Sequence, residues 1–387
     1  MKGHVRERGK GNWYAVLSMR DPQTGKRKVR WRSLPGCKGK REAQQECGRI
    51  LTEMQSGGYI APDKTSVAQF LERWLAHIQT LVAPRTYTGY VEKVRNNLIP
   101  ALGAIRLTKL RPEQISEVYS RAVLSGRRNG KGGLSTQTIR HMHGILKQAL
   151  AQACVWRAIT HNPAALVSPP RVGHREMQTV STDQTAAMID AGRGTLIFIP
   201  ILLGVLCGMR RGEICALRWR SVDLDTGQLS VVASTEQGRG GMREKEPKNG
   251  KGRLIELPTM LVTELRRHRM QQAEWLLRLG VRLTDDHHVC LREDGESVWP
   301  SSLTRAFRTF MRRHSLPLIR FHDLRHSHAT HLLAANVHPK IAQERLGHSN
   351  VSITLNTYSH VVPGMQRDAV AKVDAAIQAA LNKRETK

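Results

Sequence analysis

Six residues in the second half of the chain have the types that phosphodiester chemistry requires. Transesterification at phosphorus needs a nucleophile, a proton donor for the leaving oxygen, and cations beside the nonbridging oxygens, where negative charge accumulates. Tyrosine, lysine or histidine, and arginine suit these tasks, because arginine stays charged and binds phosphate oxygens through two parallel hydrogen bonds. The six are Arg210 in GMRRGE, Lys248 in EPKNGKGR, His322 and Arg325 in HDLRHSHAT, His348 in LGHSN, and Tyr358 in NTYSH.

Two of these phrases repeat one local spacing. Arg210 and Glu213 are three residues apart, and so are His322 and Arg325. In a helix this spacing puts both side chains on one face. Taken alone, Arg210 and Glu213 could equally form a surface ion pair, so this phrase does not by itself indicate a reaction.

The histidines at positions 322, 326, 328 and 331 offer a metal site as an alternative. His322 and His326 are four residues apart, which suits two ligands on one helical face. A metal would need a further ligand, often a carboxylate, and Asp323 points to a different face of the helix. We therefore expect no metal. We expect His326, His328 and His331 to be packing or surface residues.

Taken together, the order and spacing of the five phrases resemble the tyrosine recombinases, the phage-integrase family. HxxR, then LGH, then TYSH, behind an upstream arginine motif and a lysine-bearing turn, match the signature of that family. A single histidine after glycine is usually a feature of a helix end, and a single tyrosine is usually half-buried packing. The resemblance to the family therefore depends on the combination of the five phrases and not on any one of them.

The resemblance implies a metal- and ATP-independent reaction with no cofactor. Tyr358 would attack the scissile phosphorus and form a 3′-phosphotyrosyl bond, which a 5′ hydroxyl from a partner strand could later attack to rejoin the DNA. Arg210, Arg325 and His348 would hold the developing charge. His322 would hydrogen-bond the phosphate and buffer proton movement.

Two further roles follow from the same resemblance. Glu213 would orient Arg210 from the side away from the phosphate. Lys248, which precedes Arg253 by five residues, would protonate the leaving 5′ oxygen. Lys251 is the second candidate for this general acid. The alternative is that the turn is solvated and contacts backbone phosphates nonspecifically.

The composition favours a polyanionic partner. Lys and Arg number 61 against 32 Asp and Glu, a formal charge of +29. Nucleic acid is favoured over a membrane, because the longest apolar stretch, 195–207, is shorter than the ~20 residues that span a bilayer. No secretory signal follows Met1, and the six cysteines lack ligand-like spacing, which predicts reduced thiols. We expect a cytoplasmic, nucleoid-associated protein in a bacterial host.

Residues 1–58 predict a small sheet followed by a helix. NWYAVLSM and KRKVRWRSL read as strands joined by the turn DPQTG, with Trp13, Val29 and Trp31 facing inward. A helix follows and ends at Gly57-Gly58; its apolar face would contain Ala43, Cys47, Leu51 and Met54. The unit resembles an arm-type DNA-binding domain, and a basic tail is the alternative. Its candidate DNA contacts are Arg27, Lys28, Arg30 and Arg32.

Residues 65–162 predict an all-helical bundle. A capping box, Ser66 with Gln69, begins the first helix, and later helices begin near Pro84, Pro112 and Ser135. The apolar residues at helical spacing in the first and last of these helices are Val67, Phe70, Leu71, Trp74, Leu75, Ile78, Ile139, Met142, Ile145, Leu146 and Leu150. By its length and place the bundle resembles the core-binding domain of the family. The candidate phosphate contacts are Arg85, Lys93, Arg95, Arg140 and Lys147, with Arg127, Arg128 and Lys131 as further candidates, and each could instead be a solvated charge.

A proline-containing linker, 163–179, precedes the predicted catalytic domain, 180–387. Ser181 and Gln184 form a second capping box, and 195–207 leads into a buried helix. Two or three strands are expected about a Gly- and Lys-rich turn. A tail helix, 365–382, would present the stripe Val370, Val373, Ile377 and Leu381 to a neighbouring subunit; the alternative is that it folds back onto its own domain.

The predicted fold class is multidomain and mainly α with small sheets: a three-stranded sheet with a helix, a helical bundle, and a mixed α+β catalytic domain. The predicted function is a site-specific recombinase that integrates, and excises, a mobile element such as a prophage. The expected partners are double-stranded DNA attachment sites of core and arm type, further copies in a homotetramer, and host DNA-bending or directionality factors. The alternatives are a type IB topoisomerase and a DNA-binding regulator without catalysis.

Overall fold

The structure is a computed structural model, and it divides the chain into two units, 1–174 and 175–387. It describes residues 2–9, 11–20, 27–37, 39–55, 64–127, 130, 132–173, 178–238, 241–245, 252–347, 350, 370, 371, 373–375, 377, 378 and 382. The predictions for Arg128, Lys131, Lys248, Lys251, His348, Tyr358, Leu381, the turn DPQTG and Gly57-Gly58 lie outside these residues. So do those for the side chains of Arg27, Lys28, Arg30 and Met54.

The first unit contains one sheet and six α-helices within its described residues. These are β1 Lys2–Glu7, β2 Trp13–Arg20, β3 Arg27–Ser33, α1 Lys40–Gln55, α2 Val67–Ile78, α3 Pro84–Lys93, α4 Ile99–Leu102, α5 Pro112–Ser125 and α6 Thr136–Val155.

The second unit mixes helices with short strands. Its described elements are α7 Thr182–Gly192, α8 Phe198–Cys207, α9 Arg211–Ala216, β4 Val222–Asp223, β5 Gln228–Val231, β6 Ser234–Gly238, β7 Gly241–Lys245, β8 Arg253–Glu256, α10 Thr259–Arg278, α11 Pro300–Arg313, α12 Asp323–Ala334 and α13 Pro339–Leu346.

The N-terminal sheet is antiparallel in the order β1-β2-β3 and packs one face on α1. That face contributes Ala15 and Leu17 to a core shared with Ala43 and Cys47 of the helix, as the helical spacing predicted, and Trp13 packs against it. The prediction that Val29 and Trp31 face inward is wrong.

The correction for Val29 and Trp31 follows from the strand register. Val29 lies opposite Ser18 and Trp31 opposite Val16, so both belong to the face that α1 does not cover. They are 49% and 46% exposed, and the Trp31 ring meets the edge of Tyr14. Alternation along β3 was correctly predicted, but the wrong face was chosen.

The helical bundle has the core that the sequence predicted. The capping box at Ser66 forms, with Gln69 N–H donating to Ser66 Oγ and Ser66 N–H donating to Gln69 Oε1. Proline is the first residue of both α3 and α5, and Ser135 caps α6. The apolar faces of α2 and α6 are buried together: Val67, Phe70, Leu71, Trp74, Leu75, Ile78, Ile139, Met142, Ile145, Leu146 and Leu150.

The second unit is organised around α8, whose apolar residues are buried on nearly every side. The predicted strands are present as a three-stranded antiparallel sheet, β4-β5-β8, and a separate hairpin of β6 and β7 precedes β8. Helix α12 packs beside α8, and α13 follows α12 in the chain. This packing brings the sequence motifs around positions 210 and 325 close together. Among the described residues, no helix has the length and apolar character needed to cross a membrane.

Candidate active site

Arg210 occupies the N-cap position of the short helix α9, directly after the buried helix α8. Glu213 closes a capping box there: its Oε2 accepts the Arg210 backbone N–H at 2.8 Å, and its Oε1 accepts Nη1 of the same residue at 2.8 Å. The Arg210 side chain is 39% exposed, whereas that of Glu213 is 2% exposed. The pair is therefore a fixed, half-buried arrangement with the arginine outward and the carboxylate inward.

Gly208, which ends α8, lets the backbone at this turn lie against α12 and α13. Its φ of +62° is the left-handed conformation that glycine adopts without strain, and a Cβ there would lie 2.7 Å from both the His328 ring and a Leu346 methyl group. Any other residue at this turn would clash with α12 and α13.

Arg325 lies in the first turn of α12 and is 2% exposed. Its Nη1 donates to the Gly208 carbonyl at 2.6 Å and its Nη2 to the Leu346 carbonyl at 2.5 Å. The guanidinium thus joins the end of α8 to the end of α13. A buried charge of this kind persists because its hydrogen bonds offset the loss of hydration.

His322 precedes α12 and opens to solvent. Desolvation by the surrounding protein is the main cause that lowers its pKa to about 4, and His326, Arg325 and Arg210 nearby lower it further. The imidazole is therefore neutral near pH 7. The charges of Arg325 and Arg210 both act on it.

The other histidines of the phrase have structural partners. His328 is buried, with Nδ1 2.9 Å from the Val205 carbonyl, and His331 Nε2 lies 3.0 Å from the Val180 carbonyl. His326 packs its ring edge-on to His322. Within the described part of the chain, no three His, Cys, Asp or Glu side chains are grouped closely enough to hold a metal ion.

Three arginines meet three consecutive carbonyl groups at the end of α13. Arg253 Nε donates to the Arg345 carbonyl at 2.9 Å, Arg325 Nη2 to that of Leu346, and Arg210 Nη2 to that of Gly347 at 2.9 Å. The last carbonyls of a helix have no partner within the helix and carry its partial negative charge. This set of contacts fixes residues 345–347, directly before His348.

Arg253 is the member of this cluster that sequence reasoning missed. It entered only as a marker for Lys248, yet its Nη1 and Nη2 donate to Oε1 and Oε2 of Glu213 at 2.9 and 2.6 Å. Burial alone would raise the pKa of Glu213, but the hydrogen bonds and charge of Arg253, together with Arg210, lower it to about 2. An arginine opening a strand beside apolar Leu254 and Ile255 was the available signal.

The predicted DNA contacts that the structure describes are mostly on the surface. Arg32, Arg85, Arg140 and Lys147 are exposed, and Lys93 is half-buried. Arg95 is exposed but binds Glu72 through two hydrogen bonds of 2.9 and 2.8 Å. Arg127 Nε donates to the Gly133 carbonyl. Arg95 and Arg127 therefore have protein partners that a phosphate would have to replace.

The exposed arginines of α10 and α11 differ in whether they pair with carboxylates. The α10 residues Arg266, Arg267, Arg269 and Arg278 each pair with a carboxylate. Helix α11 contains no acidic residue, and Arg305, Arg308, Arg312 and Arg313 are exposed and form no ion pair with any described residue. Arg211 Nη1 donates to Thr304 Oγ1 of α11 at 2.5 Å, so this basic surface adjoins the helix that Arg210 caps.

Comparisons with known proteins point to one family. The phage integrase family model matches residues 177–364, and the model of the N-terminal SAM-like domain of phage integrases matches 66–122; together they match more than half of the chain. A tyrosine recombinase XerC-like protein of Caldanaerobacter subterraneus subsp. tengcongensis is 27% identical over 354 residues, covering 86% of this chain and 89% of its own.

A second relative and one solved structure extend the likeness to most of the chain. The ICEBs1 integrase of Bacillus subtilis is 23% identical and covers 92% of this chain and 94% of its own. The crystal structure of a lambda integrase tetramer bound to a Holliday junction has a TM-score of 0.58 at 18% identity, covering 91% of this chain and 97% of that one. The structural likeness shows a common fold.

Proposed function

Because the chain belongs to the phage integrase family of tyrosine recombinases, we propose that it breaks and rejoins DNA through Tyr358. The protein is a site-specific DNA recombinase, an enzyme that transfers DNA strands. The proposal for the residues rests on one observation: Arg210, Arg325 and Arg253 converge on the carbonyls of residues 345–347, directly before His348.

In the proposed reaction, the Tyr358 oxygen attacks phosphorus, the bond to the 5′ oxygen breaks, and Lys248 protonates that oxygen. Arg210 is suited to hold a nonbridging oxygen, since Glu213 and Gly347 fix its position while its side chain stays 39% exposed. His348 would share the developing charge. No metal ion or ATP is needed, because the phosphotyrosyl link keeps the energy of the broken phosphoester.

Arg325 requires a local movement before it can contact a phosphate. Its side chain is almost fully buried, with Nη1 and Nη2 bonded to the carbonyls of Gly208 and Leu346. A phosphate oxygen is a stronger acceptor than a carbonyl, because it is charged. We infer that the segment after Leu346 shifts when the scissile phosphate binds, and that His322, neutral near pH 7, can then accept a proton beside it.

Double-stranded DNA is the proposed partner, bound through core sites and arm sites. The chain carries a formal charge of +29, and the exposed arginines of α11 have no carboxylate partner within the described residues, so they can release counterions from a DNA backbone. Arg85, Lys93, Arg140 and Lys147 are proposed contacts of the bundle. Arg27, Lys28, Arg30 and Arg32 remain the proposed contacts of the N-terminal sheet.

The proposed assembly is a homotetramer on two DNA duplexes. Val370, Val373 and Ile377 lie in helical residues of the tail and are 64%, 60% and 54% exposed. Such a stripe gains little by staying in water, and a neighbouring subunit could cover it. The lambda integrase in the structure described above is a tetramer on a Holliday junction, and we propose the same state here, with the DNA belonging to an integrating element and host bending or directionality factors as accessories.

The test uses a suicide DNA substrate that traps the covalent intermediate. Wild type should give a protein–DNA adduct on a denaturing gel, and Tyr358→Phe should give none while binding the same DNA with similar affinity, because it lacks one hydroxyl only. Tyr119→Phe is the control, since Tyr119 is buried in the helical bundle beside His143. An adduct formed by Tyr358→Phe would assign the nucleophile to another residue.

A further inference from the structure

His322 lies in a turn whose neighbouring residues are anchored on both sides. Phe321 before it is 3% exposed and packs its ring edge-on to Phe307 of α11, with 5.3 Å between the ring centroids. Asp323 after it is 1% exposed and is the first residue of α12. His322 itself is exposed. The imidazole therefore extends from a backbone whose two flanking residues are held in the protein interior.

Arg320 and Asp323 close this turn through their backbones and through their side chains. The Asp323 N–H donates to the Arg320 carbonyl at 2.8 Å, and the Arg320 N–H donates to Asp323 Oδ2 at 2.8 Å. In the Arg320 guanidinium, Nη2 donates to Oδ1 at 2.8 Å, and Nε lies 3.1 Å from Oδ2 and 3.2 Å from Oδ1. Contacts in which arginine uses two nitrogens on one carboxylate are strong and directional. A single carboxylate thus ties together both ends of the turn that contains His322.

The two partners of this pair differ in exposure. The side chain of Asp323 is 2% exposed, whereas that of Arg320 is 67% exposed. A buried carboxylate depends on its hydrogen bonds to offset the loss of hydration, so it permits little movement. An exposed guanidinium holds its partner more weakly. We therefore expect Asp323 to supply most of the restraint on the turn and Arg320 a smaller part.

Asp323 also acts on the charge of His322. Desolvation is the main cause that lowers the pKa of His322 to about 4. The charges of His326, Arg325 and Arg210 lower this pKa further, and Asp323 is the group among these neighbours that raises it. The carboxylate therefore favours the protonated imidazole, which is the form that His322 takes after it accepts a proton.

We propose that Asp323 is a positioning residue for His322 and that Arg320 assists it from the solvent side. This inference rests on the proposed function, because it assumes that His322 accepts a proton beside the scissile phosphate. It assigns neither Asp323 nor Arg320 a contact with DNA. Their effect on cleavage passes through the turn 320–323 and its histidine.

The test is a double-mutant cycle, which measures whether Asp323 acts on cleavage only through His322. Asp323→Asn keeps the size of the side chain but puts an NH2 group where the carboxylate accepts hydrogen bonds. This variant is made in wild type and in the His322→Gln background. Adduct formation on the suicide substrate is then measured at saturating DNA, together with DNA affinity and thermal unfolding.

Two further variants open the same pair from its exposed side, Arg320→Gln and Arg320→Lys. Arg267→Gln is the matched control, because Arg267 is 54% exposed and pairs at 3.2 Å with a buried carboxylate three residues away, that of Glu264. Arg267→Gln thus removes an arginine of the same kind from the same unit, at a place that has no contact with His322.

Asp323→Asn should slow adduct formation about 10- to 100-fold, because a displacement on the order of 1 Å at a reacting group costs up to about 10²-fold. His322→Gln should slow it about 10²-fold. In the His322→Gln background, Asp323→Asn should cost less than about twofold more, since the group that it positions is gone. Arg320→Gln should cost about 3- to 10-fold and Arg320→Lys less. Arg267→Gln should cleave as fast as wild type, and Asp323→Asn should bind DNA as wild type does.

An equal slowing by Asp323→Asn in both backgrounds would show a general structural role and would overturn the inference. Slow cleavage by Arg320→Gln with wild-type cleavage by Asp323→Asn would also overturn it, because Arg320 would then act on DNA directly. If His322→Gln alone cleaves as fast as wild type, the role of His322 in the proposed function is wrong and the inference is overturned with it. If His322→Gln is slow, the cycle judges the inference by itself. Should Asp323→Asn not fold, Arg320→Gln decides in the same two backgrounds, since its side chain is exposed.

Discussion

Glu213→Gln should destabilise the second unit, 175–387, by about 3 kcal/mol at pH 7. The Glu213 side chain is 2% exposed and lies between two guanidinium groups, which lower its pKa from 4.5 to about 2. A pKa unit corresponds to about 1.4 kcal/mol, so the difference gives roughly 3 kcal/mol of stability for the ionised form. Independently, removing one partner of a buried ion pair costs about 3 to 5 kcal/mol. The two routes agree.

The pH dependence follows from the sign of that pKa change. A depressed carboxyl pKa contributes stability above the unfolded value of 4.5, and the contribution is lost as pH falls from about 4.5 towards 2. At pH 3 only about 1 kcal/mol of it should remain. Glutamine does not titrate, so the difference between wild type and Glu213→Gln should shrink by about 2 kcal/mol between pH 7 and pH 3.

Hydrogen exchange of the α9 amide groups in the full chain, measured across a urea series, reports on this unit separately from residues 1–174. Glu274→Gln is the control: its carboxylate is exposed and paired with Arg278, so its loss should cost at most about 0.5 kcal/mol. A difference below about 1 kcal/mol for Glu213→Gln at pH 7 would refute the reasoning, as would a difference that stays constant down to pH 3.

Arg210→Ala and Arg325→Ala should each lower DNA cleavage by about 10²- to 10³-fold, measured as adduct formation, because in the proposed reaction each arginine donates to the developing charge, Arg325 after a local movement. A chelator should leave wild-type cleavage unchanged, and loss of activity with EDTA that a divalent ion restores would revive the histidine metal site. Deleting residues 1–58 should preserve cleavage of short core-site DNA while weakening binding to longer DNA with arm sites; equal binding would indicate that the segment is only a basic tail. Truncation after Gly364 should allow single-site binding but prevent tetramers on two-site DNA in native gels, since it removes the exposed stripe at Val370, Val373 and Ile377; undiminished tetramers and recombinant product would favour a tail that folds back on its own domain.

The sequence predicted those features that depend on neighbours within one or two helical turns. The capping boxes at Ser66 and Ser181 formed because a serine and a glutamine three residues later satisfy each other's backbone groups regardless of the rest of the fold. The buried face of α2 was predicted because helical periodicity requires one apolar stripe. The spacing of Arg325 from His322 was visible in the same local way, whereas its assignment to the site came from the resemblance.

What the sequence could not predict depends on contacts between distant segments. The alternation of apolar residues along β3 was visible in the sequence. Which of its two faces is buried depends on the side of the sheet that α1 covers, and Trp31 lies on the other side. The role of Arg253 depends on a carboxylate 40 residues away and a carbonyl 92 residues away. No spacing rule along one chain segment reports such a meeting.

The arginine contacts at the end of α13 depend on the length of this helix more directly than on the side chains at positions 345 and 346. Its acceptors are backbone carbonyls, so substitutions at positions 345 and 346 leave the hydrogen bonds available. Inserting or deleting one residue in α13 would instead turn its end by about 100° and shift it by about 1.5 Å. Arg210, Arg253 and Arg325 would then lose their carbonyl acceptors together, so one insertion or deletion would disturb all three arginines of the site. Random insertion scanning of residues 339–347 should therefore abolish cleavage far more often than random substitution of the same segment.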